Sequence, residues 1–175
     1  MGEGMKALKV QLLGILATVC LFNSMSASAH DSTPNNVREL TTAEVELLGS
    51  DIDNNGVRDD IQEYLEGRYS GYPIIRHEME RYSKAIDKLM IGRTIKERLE
   101  AYQEMDSTKY CAFGWGYTED EFTMHVSQIY DMQVNTPQRI LAASRAERSM
   151  RGFERPQYRT KPYKEYCHQE KSSQN

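Results

Sequence analysis

IRHEMERYSKAIDKL, the stretch from Ile75 to Leu89, repeats apolar side chains at steps of three and four residues. This spacing predicts an α-helix with one apolar face, because an α-helix turns once every 3.6 residues or so. Such a face is typical of a helix that lies against a protein core. The face consists of Ile75, Met79, Tyr82, Ile86 and Leu89.

Helix-start signals occur on both sides of this stretch. Thr41 with Glu44, and Thr118 with Glu121, have the spacing of a capping box, in which two side chains satisfy each other's backbone N–H groups. A further start is expected at Thr136, and strand signals are weak throughout. The sequence therefore predicts an all-α domain of five or six helices over residues 41–152.

Two of these helices have apolar residues whose direction can be predicted. In the first helix, Val45 and Leu48 are expected to face inward. In the last helix, Ile140, Leu141 and Ser144 are expected to share one face.

The N-terminus has the pattern of a secretory signal peptide. Lys6 and Lys9 precede an apolar segment from about Val10 to Phe22, and Ala27-Ser28-Ala29 fits an A-x-A cleavage site. The apolar segment is shorter than the roughly 20 residues of a transmembrane helix, so no membrane anchor is expected. We expect residues 1–29 to be removed, residues 30–40 to form a flexible lead-in, and the protein to be periplasmic or secreted.

The charge of the expected mature chain argues against nucleic-acid binding. The signal peptide holds two of the 22 basic and one of the 26 acidic residues, which leaves 20 against 25. Nucleic-acid-binding proteins usually carry a basic excess instead. The stretch from Arg139 to Lys164, which runs into the basic tail over residues 153–175, nevertheless holds eight basic residues and two acids together with several tyrosines. It favours either a solvated helix face and tail or contact with an acidic partner or an anionic membrane surface.

Two cysteines, Cys111 and Cys167, would remain after cleavage. In an oxidising compartment two thiols usually pair, so we expect a disulfide that ties the extended tail to the helical domain. The alternative is a pair of free buried thiols.

The segment DIDNNGVRDDIQ, from Asp51 to Gln62, has the spacing of a calcium loop. Calcium takes six to eight oxygen ligands, and alternating residues of a tight loop can direct theirs to one centre. Gly56 stands at position 6, where a sharp turn is needed. The expected ligands are the side chains of Asp51, Asp53, Asn55, Asp59 and Gln62 and the backbone carbonyl of Val57.

This segment resembles the calcium loops of EF-hand-like proteins, of thrombospondin type 3 repeats and of dockerin modules. It is also similar to a Asp-x-Asp-x-Asn-Gly-Val-Arg-Asp-Asp stretch found in uncharacterised exported bacterial proteins. The resemblance covers only Leu47 to Leu65 and implies a metal site between two helices, with Ca²⁺ as the cofactor.

Two positions depart from the EF-hand pattern. Gln62 replaces a bidentate glutamate, and Arg58 stands where paired EF-hands place an apolar residue. A solitary loop is therefore expected, with a dissociation constant of about 10⁻⁴–10⁻³ M or weaker. The competing interpretation is a polar loop whose aspartates cap the following helix.

The sequence offers no catalytic constellation. His77-Glu78 lacks the second histidine of a zinc-protease helix, because Arg81 stands in its place. A thiol nucleophile formed by Cys111 with His125 or His168 would require an unpaired cysteine. We expect a non-enzymatic, calcium-binding module with a protein partner, or alternatively a periplasmic immunity or inhibitor protein that needs no metal.

Aromatic side chains are concentrated around the two glycines that flank Trp115. They favour either an exposed binding hot spot or core packing beside the disulfide. The aromatic residues concerned are Phe113, Trp115, Tyr117 and Phe122.

Overall fold

The computed structural model describes residues 38–153 and 162–167. Six α-helices lie within these residues, together with one short 3-10 helix at Tyr163–Tyr166, and the predicted all-α class is confirmed. The expected signal peptide and residues 30–37 of the lead-in fall outside the described residues. The helices are α1 (Thr42–Leu48), α2 (Asp59–Arg68), α3 (Pro73–Ile91), α4 (Ile95–Gly114), α5 (Glu119–Gln133) and α6 (Pro137–Ser149).

Helix α3 is the centre of the domain. It contacts each of the other five α-helices, and α4 lies along it most extensively. The predicted apolar face is confirmed, because Ile75, Met79, Ile86 and Leu89 are buried and Tyr82 lies against the core. Ile61 and Leu65 of α2, with Phe122 and Ile129 of α5, complete this core. Burying an aliphatic side chain of this size contributes about 1.5–3 kcal/mol, so the α3 stripe is the main source of packing energy.

The predicted helix starts are also present. Thr41 with Glu44, and Thr118 with Glu121, form complete capping boxes, and Thr136 caps α6. A third box, Thr94 with Glu97, begins α4. These caps satisfy backbone N–H groups that have no partner inside a helix.

The predicted inward direction of Val45 is wrong, because Val45 is 52% exposed and the buried side chain of α1 is Glu44, whereas Leu48 is partly buried. In α6, Ile140 and Leu141 are both exposed, and the buried side chains are Arg139, Ala143 and Ala146. Small alanine side chains allow α6 to approach α3 closely, which leaves the larger Ile140 and Leu141 on the outside. Helix α1 is attached through its buried glutamate, as described below.

The predicted disulfide between Cys111 and Cys167 is present. It joins the last turn of α4 to the end of the 3-10 helix and closes a loop with a sequence separation of 56 residues. Within the predicted tail, residues 154–161 and 168–175 lie outside the described part of the chain. In that described part, none of the helices is both long enough and apolar enough to span a bilayer.

The aromatic residues around Trp115 divide between the two interpretations. Phe113 and Tyr117 lie against the core, and Phe122 belongs to it, with the Phe113 and Phe122 rings 6.2 Å apart in an edge-to-face arrangement. Trp115 itself is half exposed, and the ammonium group of Lys164 lies 5.0 Å from the centre of its ring.

Candidate metal site

The predicted calcium loop connects α1 to α2, and its last four residues form the first turn of α2. Gly56 has a φ of +83° and Asn54 a φ of +56°, in the left-handed region. Glycine adopts this region at little cost, whereas most other residues do not. The chain therefore bends where the motif places its glycine.

Asp51 is the residue around which this bend closes. Its Oδ1 accepts a hydrogen bond of 3.1 Å from the backbone N–H of Asn55, and its Oδ2 accepts one of 2.8 Å from the N–H of Gly56. Asp53 Oδ1 accepts a second bond, of 3.2 Å, from Asn55 N–H. Both carboxylates therefore lie within the bend.

The Asn55 amide connects Asp53 to Gln62. Its Nδ2 donates to Asp53 Oδ2 at 2.9 Å and also to Gln62 Oε1, while its own Oδ1 accepts from the N–H of Val57 at 2.7 Å. Gln62, in the first turn of α2, is thereby brought to the start of the loop. The Asn55 side-chain N–H group thus lies between an oxygen of Asp53 and an oxygen of Gln62. A bound cation would take the place of this donor.

Asp59 faces a different part of the loop. Its Oδ1 accepts a hydrogen bond of 3.0 Å from the backbone N–H of Ile52, and its Oδ2 accepts one from the hydroxyl of Ser50. This carboxylate closes the base of the loop at the N-terminal end of α2, where negative charge is favourable. The structure therefore joins Asp51, Asp53, Asn55 and Gln62 in one hydrogen-bonded group and holds Asp59 at its edge.

The protonation state of Asp53 favours a cation. Partial desolvation raises the pKa of Asp53, but hydrogen bonds that the N–H groups of Asn55 and Gln62 donate to it lower the pKa further than burial raises it. The net effect is a pKa below the ordinary value, so Asp53 is ionised at neutral pH.

The loop is docked on the domain by the two residues that follow its glycine. The side chain of Val57 is buried in the core with Ile61. Arg58 is only 5% exposed, pairs with Asp60, and donates through Nη2 to the carbonyl of Met132 at 2.7 Å. Met132 lies in the last turn of α5, where carbonyls lack helical partners and a cation is favourable.

Sequence reasoning treated Arg58 only as a departure from the pairing position of EF-hands. In the structure Arg58 attaches the loop to α5 of the same domain. This contact holds the loop where paired EF-hands would use a second loop. An arginine at a normally apolar loop position was the available signal, but its partner is 74 residues away.

Side chains alone do not define a metal centre. Over residues 38–153 and 162–167, no three His, Cys, Asp or Glu side chains form a group able to hold a metal ion. The predicted ligand set includes the amide oxygens of Asn55 and Gln62 and the carbonyl of Val57, which are outside these residue types.

Glu44 is a second functional residue of this region that sequence reasoning assigned only to a cap. Its carboxylate accepts hydrogen bonds from Arg93 Nη2 at 2.6 Å, from Arg93 Nε at 3.0 Å and from Arg38. Thr41 N–H donates to the same carboxylate at 2.8 Å. Glu44 therefore ties α1, and with it the start of the loop, to the connection between α3 and α4.

The hydrogen bonds from Arg93, Arg38 and Thr41 to the Glu44 carboxylate, here called the Glu44 cage, should make the attachment of α1 sensitive to acid. The hydrogen bond from Arg93, followed by those from Thr41, lowers the pKa of Glu44 to about 2. A group with a lowered folded-state pKa stabilises the fold above its unfolded pKa, and this contribution is lost as the pH falls towards the folded value. We expect Glu44→Gln to lower the urea midpoint at pH 7 and to match the parent protein near pH 2, measured by circular dichroism.

Glu46→Gln is the matched control, because Glu46 is exposed on the same helix. It should leave the midpoint unchanged at both pH values. A Glu44→Gln protein with the parent's midpoint at pH 7 would show that the cage does not hold α1.

The thiol and histidine candidates for catalysis do not come together. Cys111 is bonded to Cys167 and is therefore not a free nucleophile. The ring of His125 is bound through Nδ1 to the hydroxyl of Tyr69 at 2.7 Å. His77 lies within 4.0 Å of Glu80 on the same helix.

No family model matches this chain, and the searches of curated proteins and of solved structures found no match either.

Proposed function

We propose that the chain is an exported helical protein whose loop from Asp51 to Gln62 binds one calcium ion, and that this ion has a structural role. The ion would be held by side-chain oxygens of Asp51, Asp53, Asn55 and Gln62 and by the carbonyl of Val57. Asp59 would contribute directly or through a water. Calcium would neutralise the carboxylates and fix the angle between α1 and α2.

The observation that carries this proposal is the hydrogen-bonded group of Asp51, Asp53, Asn55 and Gln62. Two carboxylates lie in one bend, and the oxygen of Gln62 is brought to the same Asn55 amide as Asp53. Calcium prefers oxygen ligands of this kind, carboxylate and amide together.

Thermal unfolding of the purified protein with calcium and with chelator tests the proposal. With a dissociation constant of about 10⁻⁴–10⁻³ M, 10 mM calcium is some 10–100 times this constant and stabilises the native state by about 1.4–2.7 kcal/mol. We expect Tm to rise by roughly 5 °C, and isothermal titration to give one site per chain.

Asp53→Ala should abolish the calcium effect, and in chelator its Tm should differ from that of the parent only by the loss of the hydrogen bonds that Asn55 donates to Asp53. Asp131→Ala removes an equally exposed acid from α5 and should keep the full calcium effect. The proposal is wrong if calcium leaves Tm unchanged at 10 mM, or if both variants lose the effect equally, since that would indicate unspecific charge screening.

A further inference from the structure

The segment Pro162–Cys167, here called the cap, covers an aromatic face of α4. The ring of Tyr163 is stacked on Tyr110 with centroids 6.0 Å apart and planes 4° from parallel, and Tyr166 lies 5.0 Å from the same ring. Phe113 meets Tyr163 edge-on at 5.9 Å. Most of the cap's aromatic surface is therefore directed at one turn of α4.

The polar contacts of the cap are also made to α4 and the residue that follows it. Ser107 Oγ donates to the carbonyl of Tyr166 at 2.9 Å, and Lys164 Nζ lies over the ring of Trp115. Gly114 permits this close approach, because a Cβ at this position would lie 3.0 Å from the backbone nitrogen of Lys164.

The helical core is built without the cap. The buried cluster is formed by side chains of α2, α3, α5 and α6, by Val57 and Tyr69 on either side of α2, and by Ala112, and the 3-10 helix contributes no buried residue to it. Loss of the cap should therefore be a local event and not an unfolding of the domain. Ordering six residues costs conformational entropy, and the disulfide is the covalent bond that helps the ring contacts and the hydrogen bond from Ser107 to offset this cost.

We propose that the cap is a redox-released cover, which stays on α4 while Cys111 and Cys167 are bonded and leaves it when a dithiol reductant opens the bond. Cys167 is the more exposed of the two cysteines and Cys111 is buried, so Cys167 is the sulfur open to attack. Release uncovers Tyr110 and Phe113, which are then available as an aromatic surface.

The chemistry is ordinary thiol–disulfide exchange. One thiolate of the reductant attacks Cys167 Sγ and forms a mixed disulfide, while Cys111 leaves as a thiolate and takes up a proton. The second thiol of the reductant then displaces Cys167, which also takes up a proton. The protein gains two electrons and two protons, and the dithiol becomes a cyclic disulfide.

Limited trypsin digestion with and without dithiothreitol tests the proposal on the native protein. We expect reduction to increase the rate of cleavage after Lys164 at least tenfold and to change the emission of Trp115, the only tryptophan. Cleavage after Lys96, an exposed residue of α4, reports unfolding of that helix and should not change.

The Cys167→Ser protein has no disulfide but keeps the buried Cys111 side chain, so α4 is unchanged. We expect rapid cleavage after Lys164 in this protein without reductant. Unchanged cleavage after Lys164 on complete reduction would overturn the proposal, because the cap would then be held without the bond. A parallel rise in cleavage after Lys96 would also overturn it, because the disulfide would then hold the whole domain and not the cap alone.

Discussion

Gly49→Ala is expected to lower the free energy of unfolding by about 3–5 kcal/mol, a large part of the roughly 5–15 kcal/mol typical of a native domain. Gly49 ends α1 with φ +84° and ψ −161°, a backbone conformation that is essentially confined to glycine. A Cβ at this position would lie 2.7 Å from Arg139 Nη2 and 2.7 Å from Arg58 Cδ.

Neither arginine can move away cheaply. Arg139 donates through Nε to the carbonyl of Leu47 at 2.8 Å and through Nη1 to Asn135 Oδ1 at 2.8 Å. Arg58 is held by the carbonyl of Met132 and by Asp60. The new methyl group would therefore add steric overlap to backbone strain, and both costs fall where Arg58 and Arg139 hold the start of the loop from Asp51 to Gln62.

Gly67→Ala is the matched control, and urea denaturation measures both variants. Gly67 is exposed inside α2, and a Cβ added there would meet no atom within 4 Å. Alanine should therefore stabilise α2 by about 0.5–1 kcal/mol through its higher helix propensity. A Gly49→Ala protein within 1 kcal/mol or so of the parent would contradict the assignment of Gly49 as an obligatory glycine.

The parts of the fold that follow from local patterns could be predicted from the sequence. The stripe from Ile75 to Leu89 and the capping boxes at Thr41 and Thr118 depend on residues three or four apart, which a helix brings together whatever surrounds it. The disulfide followed from an expected compartment and a count of two cysteines. These features need no knowledge of distant contacts.

The prediction for Val45 was wrong because a polar contact between residues far apart in the sequence, and not the hydrophobic pattern, determines which side of α1 is buried. Val45 is exposed because α1 is held by Glu44 and Arg93, which are 49 residues apart in the chain. The docking of the loop by Arg58 on α5 has the same cause. The residues proposed as ligands could be listed from their spacing in the loop, but the separate orientation of Asp59 towards Ser50 could not.

The second large effect on stability is expected from Asp87, a buried carboxylate beside the loop from Asp51 to Gln62. Asp87 on α3 is 8% exposed, and its Oδ1 has no hydrogen-bond partner among the described residues. Burial raises the pKa of Asp87 to about 7, against the opposing influence of Gln133, Arg58 and Arg139. The charge of Asp51 acts in the same direction as burial.

The raised pKa determines how stability changes with pH. The folded protein holds the Asp87 proton more tightly than the unfolded chain does. Asp87 therefore contributes fully to stability only below its pKa in the unfolded chain, which is 3.8. That contribution is lost as the pH rises through the folded value of about 7. Above it, the fold carries an ionised and incompletely paired carboxylate in its interior.

Asp87→Asn removes this charge at nearly constant volume and is expected to raise the free energy of unfolding at pH 8 by about 2–4 kcal/mol, since each unit of pKa shift corresponds to about 1.4 kcal/mol. The gain should fall below about 1 kcal/mol near pH 4.5, where the native protein is already protonated at this position. Urea denaturation at pH 4.5, 6 and 8, in the presence of chelator, measures the difference.

Asp131→Asn, an exposed change on α5, should leave the stability unaltered at all three pH values. The comparison between variants cancels the titration of Glu78, whose pKa burial also raises to about 7. If Asp87→Asn destabilises the protein at pH 8, the ionised carboxylate is instead held by Arg58 and Arg139 as an ion pair. The positions of Arg58 and Arg139 beside Gly49 would then depend on the charge of Asp87.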